Sequence, residues 1–224
     1  MGWRTVVSGF ALFLPWVLRR VVLTHLLGYS IDKTARIGYS LILPQQLKMG
    51  LGARIGHLNV CKPGVELLQC GVRASIGNLN WISGSPVRSS GHFAHQVDRR
   101  PELIVGDDAA VSNRHLIDCT NTVTIGRFST LAGYRSQLLT HSIDLYSCRQ
   151  SSAPIRIGDY CFVGTACVLL GGSVLPDYCV LGAQSLLNKE HTEEYRLYAG
   201  VPAKQVKQLP KEVRYFTRSH GFVE

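Results

Sequence analysis

The chain has 224 residues, enough to bury a substantial core in one domain or two, and a formal net charge of +9. That charge favours anionic partners such as a phosphorylated cofactor or an acidic membrane surface. No dense Lys/Arg run with interleaved aromatics is present, which argues against nucleic acid. Seven cysteines, an odd number with no CxxC pair, argue against a disulfide framework.

Residues 1–28 stand apart. Thr5 to Leu18 carries no charge, Pro15 interrupts it, Arg19-Arg20 closes it, and Val21 to Leu27 is apolar again. A membrane-spanning helix needs about 20 apolar residues, so these runs are too short to cross. No small-residue cleavage site marks a signal peptide. The segment predicts a peripheral helical anchor, with Trp3, Phe10, Phe13 and Trp16 at the bilayer boundary and Arg4, Arg19 and Arg20 near anionic head groups. A helix capping the next domain or packing on a neighbouring subunit is the alternative. The expected location is cytoplasmic, peripheral on the inner face of the membrane.

From residue 29 a six-residue period emerges. Ile31 and Ile37, Met49 and Ile55, and Ile76 and Ile82 keep the spacing, with Ala35 and Asn59 as small residues four places on. Breaks near Pro44 and Pro63 predict short excursions. Residues 85–101, with Arg88, His92, His95, Arg99 and Arg100, lack the period and predict a loop. The period returns at Val105, Val111, Ile117 and Val123, slips by two, and continues at Ile125 and Leu131. A second loop is expected over 137–154.

The pattern is clearest from Ile157. Every sixth residue is aliphatic: Ile157, Val163, Leu169, Leu175, Leu181, Leu187. Four places after each of the first five stand small residues: Cys161, Cys167, Ser173, Cys179, Ser185. A period of six suits neither an amphipathic helix nor simple strand alternation. It suits a chain coiled into a solenoid, each segment giving one short strand and one tight corner. The aliphatic residue faces the core and the small residue lets coils stack closely. Three cysteines therefore read as packed, reduced thiols. After the solenoid, ending near 208, Pro210 followed by Lys211 to Tyr215 predicts a short helix with proline at its first position.

Ile-Gly-Asp repeats, Thr140-His141-Ser142-Ile143-Asp144, and Ala199-Gly200-Val201-Pro202-Ala203-Lys204 resemble the hexapeptide-repeat acyltransferases. That family includes galactoside, maltose and serine O-acetyltransferases. The resemblance spans roughly residues 30–208 and implies a mainly β fold, the left-handed parallel β-helix, assembled as a homotrimer. Acetyl-CoA is the implied acyl donor, lying between neighbouring β-helices, and no metal is expected. By the same resemblance His141 is the general base. The matching donor contacts are Thr165, Ala183, Asn188, Lys189, Lys204 and Lys207. Asn188 stands where many members have threonine. The N-terminal apolar segment resembles enzymes that decorate surface polysaccharides, which implies a sugar hydroxyl as acceptor.

The chemistry needs a hydroxyl made nucleophilic beside a thioester. An imidazole within hydrogen-bond reach can take its proton as the new bond forms, typically contributing about 10²–10⁴-fold. The developing oxyanion then needs donors, most simply backbone N–H groups at a coil corner. Asp144, three residues on, is placed to accept the other ring proton of His141. A second His-x-Ile-Asp, His115 to Asp118, sits on the preceding coil. His115 reads either as a second active-site histidine or as a corner residue bonded to backbone, and Asn113 as an acceptor contact. A zinc-dependent γ-type carbonic anhydrase shares this solenoid but needs three converging histidines, two closely spaced, and the chain has no HxxxxH. A non-enzymatic trimeric scaffold or membrane-recruited binding module is the rival reading.

Overall fold

The computed structural model describes residues 2–87, 91–221 and 223. Arg88 of the basic loop lies outside the described residues.

The chain winds through three parallel sheets in turn, of seven, nine and seven strands, the nine-stranded one including a final antiparallel strand. Most strands are two to four residues long. The aliphatic residues predicted to face inward do so. In the first sheet Ile31, Met49, Cys70, Val105, Ile125, Ile157 and Leu175 form one buried column. Ile37 to Leu181 form the second column, and Ile42 to Leu187 the third. Each such aliphatic side chain contributes about 1.5–3 kcal/mol on burial, and most coils supply three, Cys61 and Cys70 taking one place each in two of them. The result is a parallel β-helix with one continuous core.

The slot four places after the core residue is more than small. At the corner entering the third sheet, Ser40, Asn59, Asn80, His115, Ser136, Cys167 and Ser185 stack one above another, all buried or nearly so. From Ser40 to Ser136 each rung accepts the backbone N–H of the next. Ser40 Oγ takes Asn59 N at 2.9 Å, Asn59 Oδ1 takes Asn80 N at 2.9 Å and Asn80 Oδ1 takes His115 N at 2.9 Å. His115 Nδ1 takes Ser136 N at 3.1 Å, and Ser136 Oγ takes Cys167 N at 3.2 Å. Backbone donors at a buried corner would otherwise be orphaned. Glycine is required where coils touch: a Cβ on Gly126 would lie 2.3 Å from Gly158 O.

The slip between Val123 and Ile125 is a strand with both residues inward, paired to Leu103 and Val105. The second loop starts later than expected. Gln137–Leu139 is a regular strand with Leu138 in the core, seven residues after Leu131 because a bulge with Gly133 at φ +71° lengthens that coil. The excursions are 84–101 and 140–153, and both leave the coil at the corner between the third and first sheets.

The N-terminal segment is two short helices broken at Pro15, α1 (Trp3–Ala11) and α2 (Trp16–His25). Ala11, Leu23 and Leu27 are buried in the common core, so the pair caps the open end of the solenoid. Arg4 and Arg19 do not face outward as expected. Arg19 is buried and donates to Gly38 O and Ser40 O, both at 2.7 Å; Arg4 donates to Leu27 O and Gln45 O. Gly38 O and Ser40 O edge the first coil, which has no coil beneath it to pair with. Trp16 packs against the core. At the other end, Lys204–Gln208 folds back antiparallel on Arg196–Ala199. Pro210 lies in a turn, and the short helix α3 spans Arg214–Thr217, later than predicted. Phe216 packs edge-on against Tyr178 and Tyr195, members of an exterior stack that continues through Tyr160 to Phe128.

Candidate active site

His141 is the first residue of a β-hairpin, His141–Asp144 paired with Arg149–Ser152, that springs from the end of Gln137–Leu139. One coil below, Asp118 ends the strand Leu116–Asp118, in register with Leu139. This stacking brings Asp118 under the departing chain. Its Oδ2 accepts from His141 Nδ1 at 2.8 Å, Thr140 N at 3.0 Å and Thr140 Oγ1 at 2.7 Å. Its Oδ1 accepts from Thr120 Oγ1 at 2.7 Å. The carboxylate is buried, whereas the His141 side chain is 45% exposed, so one partner is fixed and the other is reachable.

The electrostatics follow from this arrangement. Burial works against ionising Asp118, but bonds from His141, Thr140 and Thr120 outweigh it and hold the carboxyl below the usual range. The bond to Asp118 raises the His141 pKa, against the opposing effect of partial burial. With Nδ1–H committed to Asp118, Nε2 carries the lone pair. Among the described residues Nε2 has no hydrogen-bond partner.

The first excursion completes the surroundings. Phe93 meets the His141 ring edge-on, with centroids 6.3 Å apart. The Arg99 guanidinium lies 4.5 Å from the Phe93 centroid and donates to Thr120 O at 2.7 Å. Gln96 clasps the hairpin: its Oε1 accepts from Ser152 N and Oγ, and its Nε2 donates to Ser152 O. Two segments far apart in sequence thus form one wall beside the imidazole.

Asp144 does not orient His141. It is exposed, and its carboxylate caps the hairpin turn through Tyr146 N at 2.9 Å and Ser147 Oγ at 2.9 Å. In an antiparallel hairpin, residues three apart on one strand point to opposite faces. Asp118 is the acceptor that sequence spacing missed; the signal was the stacking of Ile117 beneath Leu138. His115 is 1% exposed, so it is a rung of the corner ladder and not a substrate contact. Its Nε2 lies 3.0 Å from Ser112 Oγ, and burial pushes its pKa down to about 4. Asn113 is occupied at the same corner, one step out from the ladder, where its Oδ1 accepts from Asn78 N and Nδ2.

The proposed donor contacts fall in three places. Thr165 and exposed Ala183 stack on the corner entering the third sheet, Thr165 Oγ1 exchanging hydrogen bonds with the Tyr134 backbone. Asn188 and Lys189 leave that sheet at the opposite corner, the one His141 occupies, two coils further on. Lys189 and Lys204 line a pocket of about 280 Å³ with Glu190, His191 and Glu193. Lys207 is exposed on the last strand and does not line that pocket. Among the described residues no group of three His, Cys, Asp or Glu side chains is placed to hold a metal ion.

No protein-family model matches the sequence, and no curated protein matches it significantly. Solved structures do match. AntD, an N-acyltransferase from Bacillus cereus, was crystallised with coenzyme A and dTDP-4-amino-4,6-dideoxyglucose. It superposes with a TM-score of 0.58 at 13% identity, over 74% of this chain and 84% of that one. The hexapeptide-repeat acetyltransferase VCA0836 from Vibrio cholerae matches with a TM-score of 0.51 at 16% identity, over 92% of this chain and 91% of that one. A complex of VCA0836 with acetyl-CoA gives 0.50. The chain therefore has the hexapeptide-repeat β-helix fold on which these acyltransferases are built.

Proposed function

We propose that the protein is a CoA-dependent O-acyltransferase that moves an acetyl group from acetyl-CoA to a sugar hydroxyl, as in surface-polysaccharide synthesis. The observation that carries this reading is the His141–Asp118 pair: a buried carboxylate fixes one ring nitrogen and leaves the other open to solvent. His141 Nε2 takes the proton of the acceptor hydroxyl as its oxygen attacks the thioester carbonyl. The C–S bond breaks and the same proton passes to the departing thiolate, which returns His141 to its neutral form. Asp118 stabilises the imidazolium in between, and no acyl-enzyme is formed.

A homotrimer is part of the proposal. Thr165 and Ala183 sit at one edge of the third sheet and His141, with Asn188 and Lys189, at the other, so a single chain separates the first two proposed donor contacts from the base. A groove between two copies would join one chain's His141 to the next chain's Thr165 and Ala183. The outer face of that sheet carries part-exposed Trp81 and Leu116, as a covered face would.

Acceptors are screened with acetyl-CoA by following free thiol. His141→Ala should abolish transfer while acetyl-CoA affinity stays within a few-fold. Full activity in that variant would remove His141 from the mechanism, and no heat of acetyl-CoA binding would favour a scaffold.

A further inference from the structure

The capping helices are inside out. α1 turns Trp3, Val6, Phe10 and, just beyond its end, Phe13 to solvent, and α2 turns Val17, Leu18 and Val21. Phe13 is 89% exposed and Phe10 is 74% exposed. The buried side of the pair holds Ser8 and Arg19 beside Ala11 and Leu23. A helix on a protein surface ordinarily shows the reverse pattern. Scattered exposed apolar residues need no explanation, but two helices sharing one apolar outer face mark a contact surface.

A second observation identifies the occupant. Residues 1–65 contain eight Lys and Arg, namely Arg4, Arg19, Arg20, Lys33, Arg36, Lys48, Arg54 and Lys62, against one acid, Asp32. That is +7 of the total +9 at one end of the rod. Lys33, Arg36, Lys48 and Arg54 are exposed on the first two coils, directly behind the helices. Arg36 and Arg54 are register partners on adjacent strands, a like-charge pair that an anion would relieve. Two copies of this end meeting head to head would set these collars against each other. An anionic bilayer satisfies both features, taking the rings and aliphatic tips into its boundary and the cations at its head groups.

We infer that α1 and α2 dock the protein peripherally on an anionic lipid surface, with the solenoid standing off from it. The coil bearing His141 is four steps of about 4.8 Å beyond the first coil, so the imidazole works roughly 20 Å from the docked end. This inference does not depend on the acyltransferase reading.

The test is flotation of the full-length protein with phosphatidylcholine vesicles, with and without about 30% phosphatidylglycerol. Binding to the anionic vesicles is expected, with a blue shift in tryptophan emission as Trp3 enters the boundary. Phe10→Ser with Phe13→Ser should cut the apparent affinity at least tenfold with the melting temperature unchanged, because both rings are exposed. Arg36→Glu with Arg54→Glu, or salt raised to about 0.5 M, should weaken binding without removing the apolar contribution. No flotation with anionic vesicles overturns the inference. So does a wild-type oligomer that the Phe10/Phe13 variant dissociates while vesicle binding is unaffected, because the face would then be a contact between copies.

Discussion

Replacing Asp118 with Asn tests how the imidazole is held. Both carboxylate oxygens of Asp118 accept: Oδ2 from His141 Nδ1 and Thr140, Oδ1 from Thr120. An amide cannot accept on both sides. It keeps its oxygen toward His141 and Thr140, where three of the donors are N–H groups, and turns its NH₂ toward Thr120, whose hydroxyl can rotate to accept but whose backbone N–H loses its acceptor. The His141 tautomer survives, but a charge-assisted bond becomes a neutral one. Such bonds differ by roughly 1–2 kcal/mol. The imidazolium develops in the transition state, so this difference enters the barrier and lowers kcat about 5- to 30-fold at 1.36 kcal/mol per tenfold. The pH profile gives a second readout. His141 must be neutral to act, and Asp118 raises its pKa, so wild-type rate falls as pH drops through a value above the ordinary 6.5 or so. In Asp118→Asn that acid limb moves to lower pH. Steady-state kinetics from pH 5 to 9, with acetyl-CoA affinity measured alongside, decide the matter. Unchanged kcat with an unmoved acid limb would refute the positioning role of Asp118.

Three further outcomes are expected. His115 has its pKa pushed down to about 4 by burial, so below about pH 6.5 the unfolded chain takes up a proton that the folded chain refuses. Stability should therefore fall between about pH 6.5 and 4, and His115→Asn, which copies the Asn80 rung, should flatten that slope in urea melts. Of the seven cysteines only Cys148 is exposed, and burial raises the Cys70 thiol to about 12 and Cys179 to about 11. One thiol should react rapidly with an aromatic disulfide reagent in the native protein and all seven after denaturation; two or more fast thiols would contradict the packing. Leu23→Ala should cost about 2–5 kcal/mol by opening the solenoid end, read as a lower melting temperature. Deleting residues 2–27 should be worse still, so it cannot serve as a clean test of membrane binding.

The solenoid was legible because each coil repeats one local instruction, an aliphatic residue inward and a small or polar one at the corner. The chain need not fold for Ile157, Val163 and Leu169 to announce their side. His141 was legible through its motif. Its partner was not, because Asp118 and His141 meet through the stacking of coils of unequal length. The bulge at Gly133 and the two extra residues between Ile117 and Ile125 set that offset. Asp144 was nearer in sequence and turned the wrong way. Phe93, Arg99 and Gln96 were equally hidden, since nothing in residues 85–101 states that the loop lands on a hairpin some fifty residues later. Arg4 and Arg19 depart from the expectation for a different reason: charge alone implies exposure, whereas unpaired carbonyls at the solenoid end, Gly38 and Ser40 for Arg19 and Leu27 and Gln45 for Arg4, recruit guanidinium groups inward.

Both excursions interrupt the winding at the same corner, and the winding resumes each time in its former register, Ile117 above Ile82 and Ile157 above Ile125. Support and recognition are therefore separately editable. A lineage, or an engineer, could exchange the two inserts as cassettes and retarget the proposed transferase to a new acceptor while leaving the rod beneath untouched, provided the Gln96–Ser152 clasp travels with them.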